Sequence, residues 1–266
     1  GIADERDFAN ALQGWREHGF ADLGDESAAG LGAQTKAVMQ DPGFLERPSA
    51  VAHERWAQKG SAAANGAVMR TCITGVPQFW DLDSVLATTR AVCVSTHADP
   101  RCVASCAAVA ACVSALLRGN EDVHAVVEAA VETSLHVLQT EADAAKAAGV
   151  WSEQQAADAT ADLRKHTDSG MTLRDLKLDE PRAIGYTFKC LGSATWALRS
   201  GKPFENAIRE ITAEAGDADT NATVAGALLG CRLGFSQLPP EWIAQLPHAG
   251  WLESHVQKLL IVMQLR

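Results

Sequence analysis

The segment Gly216-Asp217-Ala218-Asp219-Thr220 sets two carboxylates and a hydroxyl within four positions of one another. Hard divalent cations bind through several oxygens held close together, and Asp with Thr supplies them. A run of small and aliphatic residues follows, Val224-Ala225-Gly226-Ala227-Leu228-Leu229-Gly230. Such a run makes a tightly packed helix, so the oxygens would stand at the end of a buried element. That is the arrangement of a metal-assisted reaction site. Asp and Thr also cap helix N-termini. A cap needs only one such residue, which favours ligation, but the spacing alone leaves both readings standing.

Three further constellations carry chemistry. In Gly60-Ser61-Ala62-Ala63-Ala64-Asn65-Gly66-Ala67-Val68-Met69-Arg70, small residues let a backbone approach a ligand closely, and free N–H groups can cradle phosphate. On spacing alone the same segment reads better as an ordinary loop leading into a helix. His97, in Ser95-Thr96-His97-Ala98-Asp99-Pro100-Arg101, can stack on or donate to a ligand. A lone His is as often a capping residue with a satisfied ring. Cys93, His97, Cys102 and Cys106 lack the spacing of a zinc knuckle and suit a small-residue helix that uses Cys as a small hydrophobe. Tyr186 is the chain's only tyrosine; its ring is a stacking platform or a core residue.

Helices must position these groups. Apolar residues at Phe8, Ala11, Leu12 and Trp15 share one helical face, predicting a helix over 7–18. Similar patterning predicts helices over 29–39, 50–58, 82–95, 122–148, 191–199, 204–215 and 220–233. Residues 101–118 are crowded with Ala, Val, Ser and Cys and predict a helix buried on most sides, stopping at Gly119-Asn120. Ser152 with Gln155 makes a capping-box pattern opening a helix over 152–166. Residues 167–181 are polar and irregular, the best candidate for a long loop. Alternating strands and internal repeats are absent from the pattern. The reading is one compact all-α domain over residues 1–266.

Bulk composition narrows the function. With 23 basic and 33 acidic residues the formal charge is −10, and no Arg-rich face appears, so nucleic acid is a poor partner. An anionic substrate would be held by local donors, helix N-termini or metal ions instead of by the overall field. Seven cysteines among helix-interior residues suit a reduced thiol set, which implies a cytoplasmic protein. The apolar stretch 256–265 is too short to cross a bilayer, so no membrane is expected. The chain opens Gly1-Ile2 without Met, as a fragment or processed chain would.

Taken in order, these segments resemble the ADP-ribosylglycohydrolase family, whose members include the dinitrogenase-reductase-activating glycohydrolase. The resemblance runs from about Gly60 to Leu246. It rests on Asn65-Gly66-Ala67-Val68-Met69-Arg70, Thr96-His97-Ala98-Asp99-Pro100, Gly185-Tyr186 with Leu191 and Trp196, Gly216 through Gly226, and Leu238-Pro239-Pro240-Glu241-Trp242 with Leu246. It implies an orthogonal all-α bundle that removes ADP-ribose from a modified protein or small molecule, with free ADP-ribose as product. It also implies two Mg²⁺ ions, with Asp217, Asp219 and Thr220 as metal ligands; the catalytic residue is not fixed by it, and Asp219 is the candidate within this chain. Gly60, Ser61 and Ala62 would line the diphosphate and ribose, Asn65, Gly66 and Met69 would shape that wall, and His97 and Tyr186 would flank the adenine or its ribose. The family's Gly-Asp-Ala-Leu-Gly and Thr-Asp-Asp-Thr segments do not occur in these 266 residues. The expectation is therefore a domain incomplete at its N-terminal end, with a partial metal site that would leave an ADP-ribose-binding pseudoenzyme or a structural family member as the alternative function.

Overall fold

A computed structural model of the chain describes residues 4–28, 30–60 and 63–265. Its helices are α1 (Glu5–His18), α2 (Ala33–Met39), α3 (Pro48–Lys59), α4 (Val68–Thr71), α5 (Leu82–Val94), α6 (Pro100–Leu117), α7 (Val123–Ala147), α8 (Glu153–His166), α9 (Leu173–Leu176), α10 (Thr187–Arg199), α11 (Phe204–Ala213), α12 (Ala218–Leu233), α13 (Pro240–Gln245) and α14 (Ala249–Val262). Among the described residues the only β-type pairing is an isolated antiparallel bridge between Ala64 and Tyr186. The all-α expectation holds.

The small-residue helix α6 is the axis. Asp99 caps it by accepting from the Arg101 N–H at 2.9 Å, and Pro100 fills its first turn, where no N–H is needed. Its Ala, Ser, Cys and Val side chains let α5, α7, α10 and α12 pack around it. α6 is long and apolar enough to cross a membrane, with a mean hydropathy of 1.7, but 83% of it is buried inside the fold as a core helix. Asp122 caps α7 through the His124 and Ala125 N–H groups. The capping box read at Ser152 and Gln155 is present and opens α8.

Two boundaries differ from the sequence reading in informative ways. α10 begins at Thr187, four residues before the pattern suggested, because Phe188 and Cys190 are fully buried and core packing overrides their modest helix propensity. The stretch 167–181 contains the short helix α9, opened by a capping box between Thr172 and Asp175. A small second core beneath α1–α3 gathers Ala9, Val38, Phe44, Val51 and Trp56.

Candidate active site

The end of the Gly-rich loop is pinned before α4 begins. The Asn65 N–H donates to the Gly185 carbonyl and the Thr187 N–H to the Ala63 carbonyl, each at 2.9 Å. The Cys102 thiol on α6 donates to the Ala64 carbonyl at 3.3 Å. This pairing brings two segments far apart in sequence side by side, and it orients the buried Asn65 side chain. Its Nδ2 donates to Asp217 Oδ2 at 2.7 Å.

Asp217 occupies the N-cap position of α12, yet its side chain makes no capping hydrogen bond. The capping reading therefore fails for this residue: its carboxylate turns to Asn65 instead. Asp219 lies exposed in the first turn, its Oδ1 accepting the Thr220 N–H at 2.8 Å. Carboxylates there are favoured by the helix dipole. The buried Thr220 hydroxyl donates to Met69 Sδ at 3.8 Å. Burial pushes the Asp217 carboxyl up, and the neighbouring Asp219 carboxylate adds to this, against the bonds from Asn65 and Thr220. The Asp219 carboxyl is pushed down by its hydrogen bond with Asp217 and by the Thr220 N–H. Two carboxylates forced together in this way are relieved by a proton or a cation.

The donor set fits one hydrated divalent ion. Asp217, Asp219 and Thr220 offer hard oxygens at one helix start, and Mg²⁺ commonly keeps several waters beside one or two carboxylates. It does not by itself enclose two ions: among the described residues no group of three or more His, Cys, Asp or Glu side chains could hold a metal.

Gly60 closes α3 with φ +65°, its N–H donating to the Trp56 carbonyl at 2.8 Å. Ser61 and Ala62 lie outside the described residues. His97 is buried directly behind Gly66, where a Cβ would stand 3.0 Å from Nε2. Its Nδ1 pairs with Thr96 Oγ1 at 2.8 Å, and its Nε2 is buried without a partner. Burial, helped by the Arg70 charge, pushes the imidazole down to about 3, so it is neutral.

Tyr186 fronts a cleft of about 410 Å³ lined by Arg101, Trp151, Gln155, Asp158, Ala159 and Asp162. Its hydroxyl donates to Asp162 Oδ2 at 2.5 Å, and burial pushes that hydroxyl well above its ordinary range. The Arg101 guanidinium lies 5.8 Å from the ring centres of both Trp151 and Tyr186, while its Nε and Nη2 donate to the buried Asp99 at 2.9 and 2.7 Å. Sequence reasoning missed this wall. The available signal was the spacing of Gln155, Asp158, Ala159 and Asp162, which share one face of α8.

The fold and the site together define an all-α protein with a carboxylate pair at one helix start, clamped by Asn65, and a cleft fronted by Tyr186. The family model described as ADP-ribosylglycohydrolase matches residues 1–266, and the chain belongs to that family. The match extends beyond both ends of the segment that carries the sequence resemblance. An ADP-ribosylarginine hydrolase Tri1 of Pseudomonas putida (strain GB-1) is 38% identical over 81 residues, 30% of this chain and 21% of that protein. The Tri1 of Serratia proteamaculans (strain 568) is 24% identical over 184 residues, 69% of this chain and 43% of that protein. The chain thus spans less than half the length of these curated relatives. A solved structure titled "ADP-ribosylglycohydrolase-related protein complex" shares the fold at a TM-score of 0.55 and 21% identity, covering 94% of this chain and 71% of that one.

Proposed function

We propose that this chain hydrolyses the glycosidic bond between ADP-ribose and a modified acceptor, reversing mono-ADP-ribosylation, with arginine the first acceptor to test. The observation that carries this reading is the Asn65–Asp217 clamp, which joins the Gly-rich loop to the carboxylate pair and sets both against Gly185, the residue before Tyr186. Asp217, Asp219 and Thr220 would hold Mg²⁺, and a further ion would need ligands beyond these three. When bound, the metal supplies Lewis-acid polarisation and a more acidic water. Asn65 holds Asp217 in one orientation, so that carboxylate needs no reorganisation when substrate arrives. Asp219 is the exposed member of the pair and has access to a water. Tyr186 and Trp151 offer ring faces, while the Arg101 charge is already paired with Asp99 and faces Asp158 and Asp162 across the cleft. An anionic dinucleotide on a chain of net charge −10 would therefore depend on the bound cation to offset its charge.

The test is release of ADP-ribose from an ADP-ribosylarginine protein, in Mg²⁺ and again in EDTA. Metal-dependent release that Asp217→Asn abolishes is the expected result. The partial donor set favours one alternative, an ADP-ribose-binding module without turnover. It would show calorimetric binding in the micromolar range, about −8 kcal/mol, and no release. Neither binding nor release would overturn both readings.

A further inference from the structure

Around the last turn of α8 the acidic chain carries a cluster of opposite sign. Arg164, Lys165, Arg174 and Lys177 line an open cleft of about 630 Å³ together with Asp168 and Asp175. The two acids are already engaged: Asp168 accepts the Gly170 N–H at 2.8 Å, and Asp175 accepts the Thr172 N–H and hydroxyl at 3.0 and 2.5 Å. Arg164 meets Glu132 only at 3.8 Å. The cations are exposed, so the cleft presents net positive charge to solvent.

This cleft is fixed relative to the carboxylate pair. Lys177 takes a left-handed conformation, φ +48°, which costs a non-glycine residue energy. Lys189, buried on α10, holds it there by donating to the Lys177 carbonyl at 2.5 Å while pairing with Glu180 at 2.7 Å. The next residue, Leu178, packs so closely on Gly216 that a Cβ at Gly216 would stand 2.1 Å from the Leu178 oxygen. A body bound at Lys177 therefore lies one residue from the loop that backs Asp217.

We propose that this basic cleft docks an acidic surface segment of the acceptor protein, an inference that rests on the hydrolase reading for its substrate. Charge complementarity names the occupant. The cations are few and interrupted by two carboxylates, which suits scattered Asp and Glu side chains. The lining holds no aromatic side chain, so a nucleic acid would find no ring there on which to stack its bases.

The first experiment titrates a fluorescein-labelled oligoglutamate against the whole chain by anisotropy at low and moderate salt. The variant is K165E/R174E/K177E, with R6E/K36E/R118E, three exposed cations outside the cleft, as a matched charge control. The expected result is binding that the variant weakens about tenfold or more, with a flattened salt dependence, while the control tracks the unsubstituted protein. K165Q/R174Q/K177Q replaces the reversal variant if that one melts early. Equal binding by the variant overturns the proposal, and so does tighter binding of an oligonucleotide of equal charge. The second experiment compares an acidic ADP-ribosylated protein with free ADP-ribosylarginine. The variant should raise KM for the protein alone and leave kcat and the small substrate unchanged. Absent turnover in the unsubstituted protein would count against the hydrolase reading, while the peptide titration still decides the cleft.

Discussion

The helices that carry the site and the two that end the chain are built on opposite plans. Around α6 the residues are small, and backbones approach closely: a Cβ on Gly192 of α10 would stand 2.6 Å from the His166 carbonyl. Side chains placed there have one arrangement open to them, which is why Asn65 can hold Asp217 across the fold. α13 and α14 carry larger apolar residues and bury little of them. Leu252 is 48% exposed, Ile261 62% and Val262 78%. α14 meets the N-terminal region through Trp251, 5.3 Å from the Phe20 ring and 3.4 Å from Asp22 Oδ2. Apolar content alone does not make a core. Closeness does, and closeness here comes from Ala, Gly, Ser and Cys.

The largest effect should fall on chemistry at the close-packed end. Asp217→Ala removes both a ligand oxygen and the partner of Asn65, and should cut kcat/KM for ADP-ribose release at least about 100-fold, about 3 kcal/mol. Glu241→Ala on α13 should leave it unchanged. Comparable rates in the two variants would mean that the carboxylate pair does no chemistry.

A pair of glycines tests the packing itself. Gly216 and Gly234 both have left-handed backbones, φ +69° and +77°, but only Gly216 is crowded, and nothing lies within 4 Å of a Cβ at Gly234. Gly234→Ala should cost about 2 kcal/mol, from backbone strain alone. Gly216→Ala adds a clash with the Leu178 carbonyl and should cost about 3 kcal/mol. Urea melts of the two proteins would separate these terms, and equal losses would show that the 177–179 loop yields easily.

His97 gives the interior a pH signature. Its folded pKa, about 3, lies below the ordinary 6.5, so between these values the unfolded chain binds a proton that the folded chain refuses. Stability therefore falls as pH drops through that window, by about 2 kcal/mol at pH 5 from this group. His97→Gln should flatten the dependence of the urea midpoint on pH between 6.5 and 5. An unchanged slope would show that the ring is protonated in the fold.

How far the sequence reached follows the same division. The helical class was legible from periodicity; Asp217 and Thr220 stood out as oxygens in a short motif and Tyr186 as the lone tyrosine, while Asn65 and Met69 were singled out only through the family resemblance. That Asn65 would bond to Asp217, 152 positions away, was not legible, because the contact is made only once α12 and the loop pack on α6 and α10. The Tyr186 cleft stayed hidden for a similar reason. Gln155, Asp158 and Asp162 look like any solvated helix face until Arg101 and Trp151 are set opposite them. The α9 capping box at Thr172 and Asp175 is written in the sequence, but a four-residue helix leaves no apolar period beside it to mark a helix.

The smallest effects should fall on α14, and they sharpen the comparison most. Truncating a buried ring such as Phe188 should cost about 3–5 kcal/mol, the lost transfer energy plus a cavity. Leu252→Ala or Val256→Ala shortens side chains already about half exposed and should lower the unfolding free energy by less than about 1 kcal/mol. Trp251→Ala should fall between these, since it gives up the contact with Phe20. If Leu252→Ala instead costs as much as a core truncation, its side chain is covered in solution. The two ends of the molecule would then differ in what packs on them and no longer in whether anything does.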